Sequence, residues 1–224
     1  AWPTTSPSDV ARTLEGIAND APSTDGLPLV ERGIVSLWQG CTATASTWLE
    51  EAKSAEPDSY YSALADNLLH PDQNKQYPPF ISSVKLPGGS VVERQRVAAA
   101  HPDSADDQLA YAVALQGEGK RTKARAAAEQ AIAADPRNLD AQVAAIVLGY
   151  DKDAPATAVG ALGALIKQNP DQVAPVLHIG ILLLWIQQTT LARQEFAKAV
   201  KISPTSRDGL IARAFLAGLE KTKG

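Results

Sequence analysis

Ile132–Asn138 reads IAADPRN: the end of an alanine-rich run, one proline, then polar residues. Alanine favours helix more than any other residue. Proline ends a helix, because it lacks an N–H and disfavours α geometry in the residue before it. The same punctuation recurs as KQNPDQ (Lys167–Gln172), KISPTS (Lys201–Ser206), AAHPDS (Ala99–Ser104) and SAEPDS (Ser54–Ser59). Pro102, Pro136, Pro170 and Pro204 are evenly spaced, since 136−102, 170−136 and 204−170 are each 34. Other positions keep that register: Ala124, Ala158 and Ala192; Ala131, Leu165 and Ala199; Tyr111, Ala145 and Ile179; Ala128, Leu162 and Phe196. Self-similarity at a fixed period decides the architecture before any single element does.

Each copy reads as two helices. In 105–138, DDQLAYAVALQGEG (Asp106–Gly119) gives the first, stopped by Gly117 and Gly119. TKARAAAEQAIAAD (Thr122–Asp135) gives the second, with Thr122 as its expected N-cap. In 139–172, Pro155 suits the first turn of a helix. One such hairpin cannot bury its apolar face alone, so the copies are expected to stack.

The period and the small-residue columns resemble the tetratricopeptide repeat (TPR) family. That pattern places a small residue midway along the first helix, an alanine early in the second, a bulky apolar residue one turn later, then a small residue and a proline. Gly180, Ala192, Phe196, Ala199 and Pro204 fill these slots in 173–206. Ala112, Ala124, Ala128, Ala131 and Pro136 fill them in 105–138, and Gly33, Ala45, Leu49, Ala52 and Pro57 in 26–59. Unit 139–172 departs, with Ile146 and Leu165 where small residues are expected, which predicts a splayed helix pair.

The resemblance implies an all-α solenoid, a right-handed superhelix forming a single domain over 1–224. Residues 1–25 are read as a linker plus a half-unit helix (SDVARTLEGIAND), and 26–59 as a repeat. Residues 60–104 are read as a degenerate repeat with an inserted loop at 71–89, because Pro57 and Pro102 are 102−57 = 45 apart, which is 34 + 11. Its second helix opens at Ser90, with Glu93 in capping-box position. Repeats 105–138, 139–172 and 173–206 follow, then a capping helix in 207–224.

Composition narrows the function. The net charge is −4 and the pI near 5.4, with no electrostatic footprint for nucleic acid. GKRTKAR (Gly119–Arg125) reads as a solvated turn and helix start. A single cysteine, Cys41, rules out an intrachain disulfide and argues against a Cys/His metal site. The longest apolar run, ILLLWI (Ile181–Ile186), is far too short to span a membrane. His70 and His101 precede prolines at helix ends, where a structural role is expected. PGGS (Pro87–Ser90) lacks the rest of a phosphate-loop pattern and reads as an entry turn. Nothing converges as catalysis requires, so no enzyme, no cofactor and no metal are expected.

In TPR proteins the first helices line a concave surface that binds peptides or partner segments. The resemblance implies an inner column of Val30, Ile34, Trp38, Leu109, Val113, Val143, Val147, Tyr150, Leu177, His178, Ile181 and Trp185. The alternative for its Val and Leu positions is packing between repeats. Trp38 and Trp185 favour the groove, because tryptophan is enriched at binding hot spots. The column is mainly apolar and lacks the Lys, Arg and Asn that grip acidic tails. LHIGILLLWI (Leu177–Ile186) is apolar all round, so something must cover it all round.

The insertion is the other unusual stretch. A connection this long without helical signal is uncommon in a compact domain. Tyr77, Phe80, Ile81, Val84 and Leu86 make it too apolar for a disordered linker. Its prolines favour an extended form. Tyr77, Phe80, Ile81 and Leu86 are therefore expected to form a lid over the concave face, or else to pack on the outer edge.

The expected function is a non-enzymatic scaffold for an apolar or amphipathic partner segment, the partner being a protein or peptide. The alternative is a structural subunit that self-associates through an exposed repeat surface. AWPTTSPS (Ala1–Ser8) resembles the juxtamembrane linker of bacterial TPR proteins anchored by an N-terminal span, among them envelope and cytochrome c assembly factors. That layout favours an extracytoplasmic domain, tethered through a segment absent from this chain, over a cytoplasmic one.

Overall fold

The structure, a computed structural model, describes residues 26–71 and 77–221. Among the described residues there are eleven α-helices and no strand. The expected half-unit helix before Pro22 lies outside them, as does the very end of the capping helix. The chain divides into two compact units, residues 1–75 and 76–224, each described here by itself.

The first unit holds α1 (Gly26–Trp38), α2 (Thr42–Ala55) and α3 (Tyr60–Leu69). Leu29, Val30, Leu49, Ala52 and Ala65 form its core, backed by Trp48, Tyr61, Leu64, Leu68 and Leu69. A Cβ at Gly33 would come 2.6 Å from Leu49 Cδ2, so only glycine lets α1 and α2 approach this closely. Ser59 caps α3 by accepting the Ser62 N–H at 3.0 Å.

The second unit holds α4 (Val91–Ala100), α5 (Ala105–Gly117), α6 (Arg121–Ala134), α7 (Leu139–Leu148), α8 (Pro155–Gln168), α9 (Val173–Trp185), α10 (Thr189–Ile202) and α11 (Arg207–Lys221). Here the period of the prolines becomes a period of helices. The first helices begin at 105, 139, 173 and 207, and the second helices at 121, 155 and 189, each step being 34. Each second helix stops two residues before its proline, at Ala134, Gln168 and Ile202.

Capping follows the sequence with two differences. Ser104, Asn138 and Ser206 each accept a backbone N–H in the first turn that follows them, as expected of their type. Helix α6 begins at Arg121, one residue before Thr122, and Lys120 at its N-cap makes no side-chain cap. The turn is set instead by Gly119, whose φ of +73° favours glycine. Ser90 caps Glu93 N–H at 3.2 Å, but the Glu93 carboxylate takes Arg94 at 3.1 Å, so the capping box is half made.

The periodic columns are the core. Ala112, Ala124, Ala128, Ala131, Ala192, Phe196 and Ala199 are fully buried. A Cβ on Gly180 would sit 2.5 Å from Phe196 Cε1, and the Phe196 ring stacks on Phe215 at 4.8 Å. In unit 139–172 the equivalent pair is Ile146 and Leu162, two bulky residues where the other hairpins place at least one Gly or Ala. Helices α7 and α8 accordingly touch far less than α5 with α6 or α9 with α10.

Helix α9 is buried along Val173–Leu183. It packs on α7, α8, α10 and α11. The two helices expected to pair as the degenerate repeat belong to different units: α3 packs on α1 and α2, whereas α4 packs on α5.

Candidate functional site

Within the second unit, residues 77–86 have no helical or strand structure and lie on the first helices. The segment begins at Tyr77, whose ring sits under the Arg121 guanidinium at 3.6 Å, with Lys152 Nζ at 4.7 Å. Both are favourable cation–π geometries. Pro78 and Pro79 follow, which have no N–H to satisfy and hold the chain extended.

From Phe80 the backbone is held by side chains. The Gln116 carboxamide reads Phe80 on both sides: Phe80 N–H donates to Oε1 at 2.8 Å and Nε2 donates to the Phe80 carbonyl at 3.0 Å. Ile81 N–H donates to His178 Nε2 at 3.0 Å. Arg207 Nε donates to the Ser82 carbonyl at 3.1 Å. Ser83 N–H and the Ser82 hydroxyl both donate to Asp140 Oδ2, at 2.8 and 2.6 Å. Gln116 ends α5, His178 is midway along α9, and Asp140 and Arg207 open α7 and α11. The segment therefore crosses the first helices from the C-terminal end of α5 to the N-terminal end of α11.

Side chains add apolar contact. Phe80 is 2% exposed and belongs to the core cluster of the unit. Its ring stacks on the His178 imidazole, 5.5 Å between centroids and 21° between planes. Tyr77, Ile81 and Leu86 pack against that cluster.

The hydrogen bonds fix the state of His178. A backbone N–H can only donate, so Nε2 must be the lone-pair nitrogen and Nδ1 carries the proton, donating to the Ala174 carbonyl at 2.7 Å. Complete burial pushes its pKa down to about 4. The imidazole is thus neutral near pH 7, as acceptance from Ile81 requires.

The apolar column expected to face a partner is largely closed. Leu109, Val143, Val147, Tyr150, Leu177 and Ile181 are buried, and Val113 and Trp185 half-buried. These first helices have neighbours on several sides, and Phe80 joins the same cluster. In the first unit, Val30 is core, while Ile34 and Trp38 are 43% and 52% exposed. His70 and His101 sit at helix ends beside Asp66 and Asp107. Cys41 is an exposed free cysteine.

Gln116, Asp140, Arg121 and Arg207 were not among the expected site residues. The expectation followed apolar residues, whereas these act by hydrogen bonding. Asp106, Asp140 and Asp208 do form a visible column, since 140−106 = 34 and 208−140 = 68. An acidic residue at the second position of a helix is explained well enough by the helix dipole, so the column carries no functional signal in sequence.

Beside Ser83 and Val84 opens a cavity of about 450 Å³, lined by Asp106, Asp140, Asp171 and Asp208 together with Asn138 and Ser206. Burial and the nearby Asp140 charge push the Asp208 pKa up to about 6, with Arg207 opposing. Asp208 Oδ1 is buried with no hydrogen-bond partner among the described residues.

No family model matches the sequence, and no curated protein matches it. Among the solved structures similar to this chain, three illustrate the likeness, all at low identity. One is YrrB, described as a TPR protein with an unusual peptide-binding site: 12% identity, 91% of this chain and 99% of that one, TM-score 0.41. A second is yeast Tom70, at 12% identity, covering 99% of this chain and 45% of that one, TM-score 0.44. The third is the TPR domain of P58(IPK), at 14% identity, covering 97% of this chain and 62% of that one, TM-score 0.36. Likeness this distant carries nothing about function. The fold stands on the helices themselves: the described residues are all-α, and those of the second unit repeat a helical hairpin every 34 residues, the arrangement that the resemblance to the tetratricopeptide repeat implies.

Proposed function

We propose that this chain is a non-enzymatic protein-interaction scaffold whose second unit binds an extended, amphipathic segment of a partner protein across its first helices. One observation carries the reading: the chain's own residues 80–83 lie there with their backbone held by Gln116, His178, Asp140 and Arg207. Those contacts go to peptide groups, so they would serve another extended chain equally well. Phe80 and Tyr77 set the side-chain preference: an aromatic three residues after an aromatic, with prolines between. Residues 77–86 would then act as a lid, occupying the groove until a partner displaces them. The setting of an envelope or membrane assembly factor follows from the resemblance in layout alone.

The test is to replace Tyr77–Leu86 with a Gly/Ser linker of equal length and titrate the synthetic Tyr77–Leu86 peptide. The reading expects the peptide to bind and a scrambled peptide not to bind. A variant that keeps its helical content yet binds neither would overturn it.

Self-association is the second reading, favoured by the exposure of Ile34, Leu37 and Trp38 on α1. Light scattering separates the two: a monomer supports the scaffold, and a stable dimer lost on Ile34→Lys supports the alternative.

A further inference from the structure

The cavity beside the bound segment collects negative charge. Four carboxylates line it from separate elements: Asp106 of α5, Asp140 of α7, Asp171 from the turn before α9 and Asp208 of α11. Among its lining residues there is no lysine and no arginine. Arg207, adjacent in sequence, offsets part of the Asp208 charge, while its Nε is engaged by the Ser82 carbonyl. Asp140 Oδ2 is engaged by Ser82 and Ser83. The Ser206 hydroxyl accepts from Gly209 N–H and donates to the Ser203 carbonyl. Asp208 is different: it is 3% exposed, and Oδ1 has no partner among the described residues. A buried carboxylate oxygen without a donor is costly to keep.

The lining has the chemistry of a receptor for an organic cation. Around 450 Å³ is ample for one basic side-chain head. The segment 77–86 leaves it unfilled, because it presents only Ser83 and Val84 there.

We infer that this cavity is the specificity pocket of the groove and takes a lysine or arginine side chain carried by the partner segment at the position of Ser83 or Val84. The inference rests on the groove reading above and deepens it. It also explains how a partner would win over a tethered competitor. Both would make the same backbone bonds to Gln116, His178 and Asp140, but only the partner would add an ion pair to Asp208. Burial holds the Asp208 pKa high while no cation is present, and an incoming cation would lower it.

Two measurements test this. In the first, peptides Tyr77–Leu86 with Val84→Lys, Val84→Arg or Ser83→Lys are titrated into the linker-replaced chain. At least one should bind about 10-fold or more tighter than the unaltered peptide, as expected of a charge-assisted bond. The gain should weaken with salt and vanish in Asp208→Asn, while the unaltered peptide binds that variant as before. In the second, methylguanidinium, propylammonium or spermidine is added to the intact chain while the Asp208 carboxyl is followed by NMR. The organic cations should lower its pKa further than NaCl of equal ionic strength.

Equal affinity of all peptides, a gain that survives Asp208→Asn, or an Asp208 signal that responds only to ionic strength would each overturn the pocket. Spermidine binding more tightly than every basic peptide would overturn its assignment to a partner side chain. If no peptide binds but the organic cations still move Asp208, the groove reading has failed and the cation site stands.

Discussion

Replacing Gln116 with alanine removes both hydrogen bonds with Phe80, the one its Oε1 accepts at 2.8 Å and the one its Nε2 donates at 3.0 Å. Each is worth on the order of 1 kcal/mol net. Release of residues 77–86 should therefore become easier by about 2 kcal/mol, or roughly 30-fold. Native-state hydrogen exchange reads this locally. The amides of Ile81 and Ser83 donate to His178 and Asp140, and both are freed when the segment lifts. Their exchange in Gln116→Ala should accelerate by that factor, while core amides of α9 such as Ile181 keep their protection. Gln116→Glu keeps an acceptor for Phe80 N–H but sets a carboxylate oxygen against the Phe80 carbonyl, so it should also accelerate exchange. Two results would refute the reasoning: unchanged exchange at Ile81 and Ser83, or acceleration shared equally by α9. The latter would mean that the segment opens only when the whole unit unfolds.

Three further predictions follow from burial and charge. Ala124→Leu and Ala192→Leu force extra volume into fully buried positions where paired helices meet, and each should lower the urea midpoint by the equivalent of about 1–3 kcal/mol. His178 has a folded pKa near 4, below the ordinary histidine value of 6.5, so its contribution is present above pH 6.5 and is lost as pH falls through 4. Ile81 exchange, corrected for its intrinsic pH dependence, should accelerate in acid over that window, because protonated Nε2 cannot accept its N–H. Asp208 runs the other way: its pKa rises from 3.8 to about 6, so the folded state is favoured below pH 3.8 and loses that advantage as pH rises through 6. Asp208→Asn should accordingly stabilise the folded state at pH 7.5, by at most about 3 kcal/mol, and so raise Tm there, with little change at pH 3.5.

The fold was legible because it repeats. Pro102, Pro136, Pro170 and Pro204 each mark the end of a second helix, and the same 34-residue step separates the helix starts. Ile146 announced its own consequence, since a branched side chain at a close approach must hold two helices apart. The site was less legible. The inserted stretch stood out through its length and its aromatics. Its receptors did not, because Gln116, Asp140 and Arg207 look like ordinary polar residues near helix ends. Their partners lie 36, 57 and 125 residues away in sequence, and no local pattern encodes that pairing. The apolar column was read by its helical period, but a first helix in a stack has neighbours on several sides, so the same period also describes core. Division into two units was hidden for a related reason: α3 and α4 each look like half of one hairpin, and only packing shows that they join different units.

The central claim is that residues 77–86 and a partner segment compete for one groove. It is tested most directly on the intact chain, by measuring exchange at Ile81 and Ser83 while an Asp208-directed peptide, Tyr77–Leu86 with Val84→Arg, is titrated to saturation. The account predicts that protection of the tethered segment falls in step with peptide occupancy, with the same midpoint. Saturable peptide binding that leaves Ile81 and Ser83 fully protected would place the partner elsewhere and contradict it.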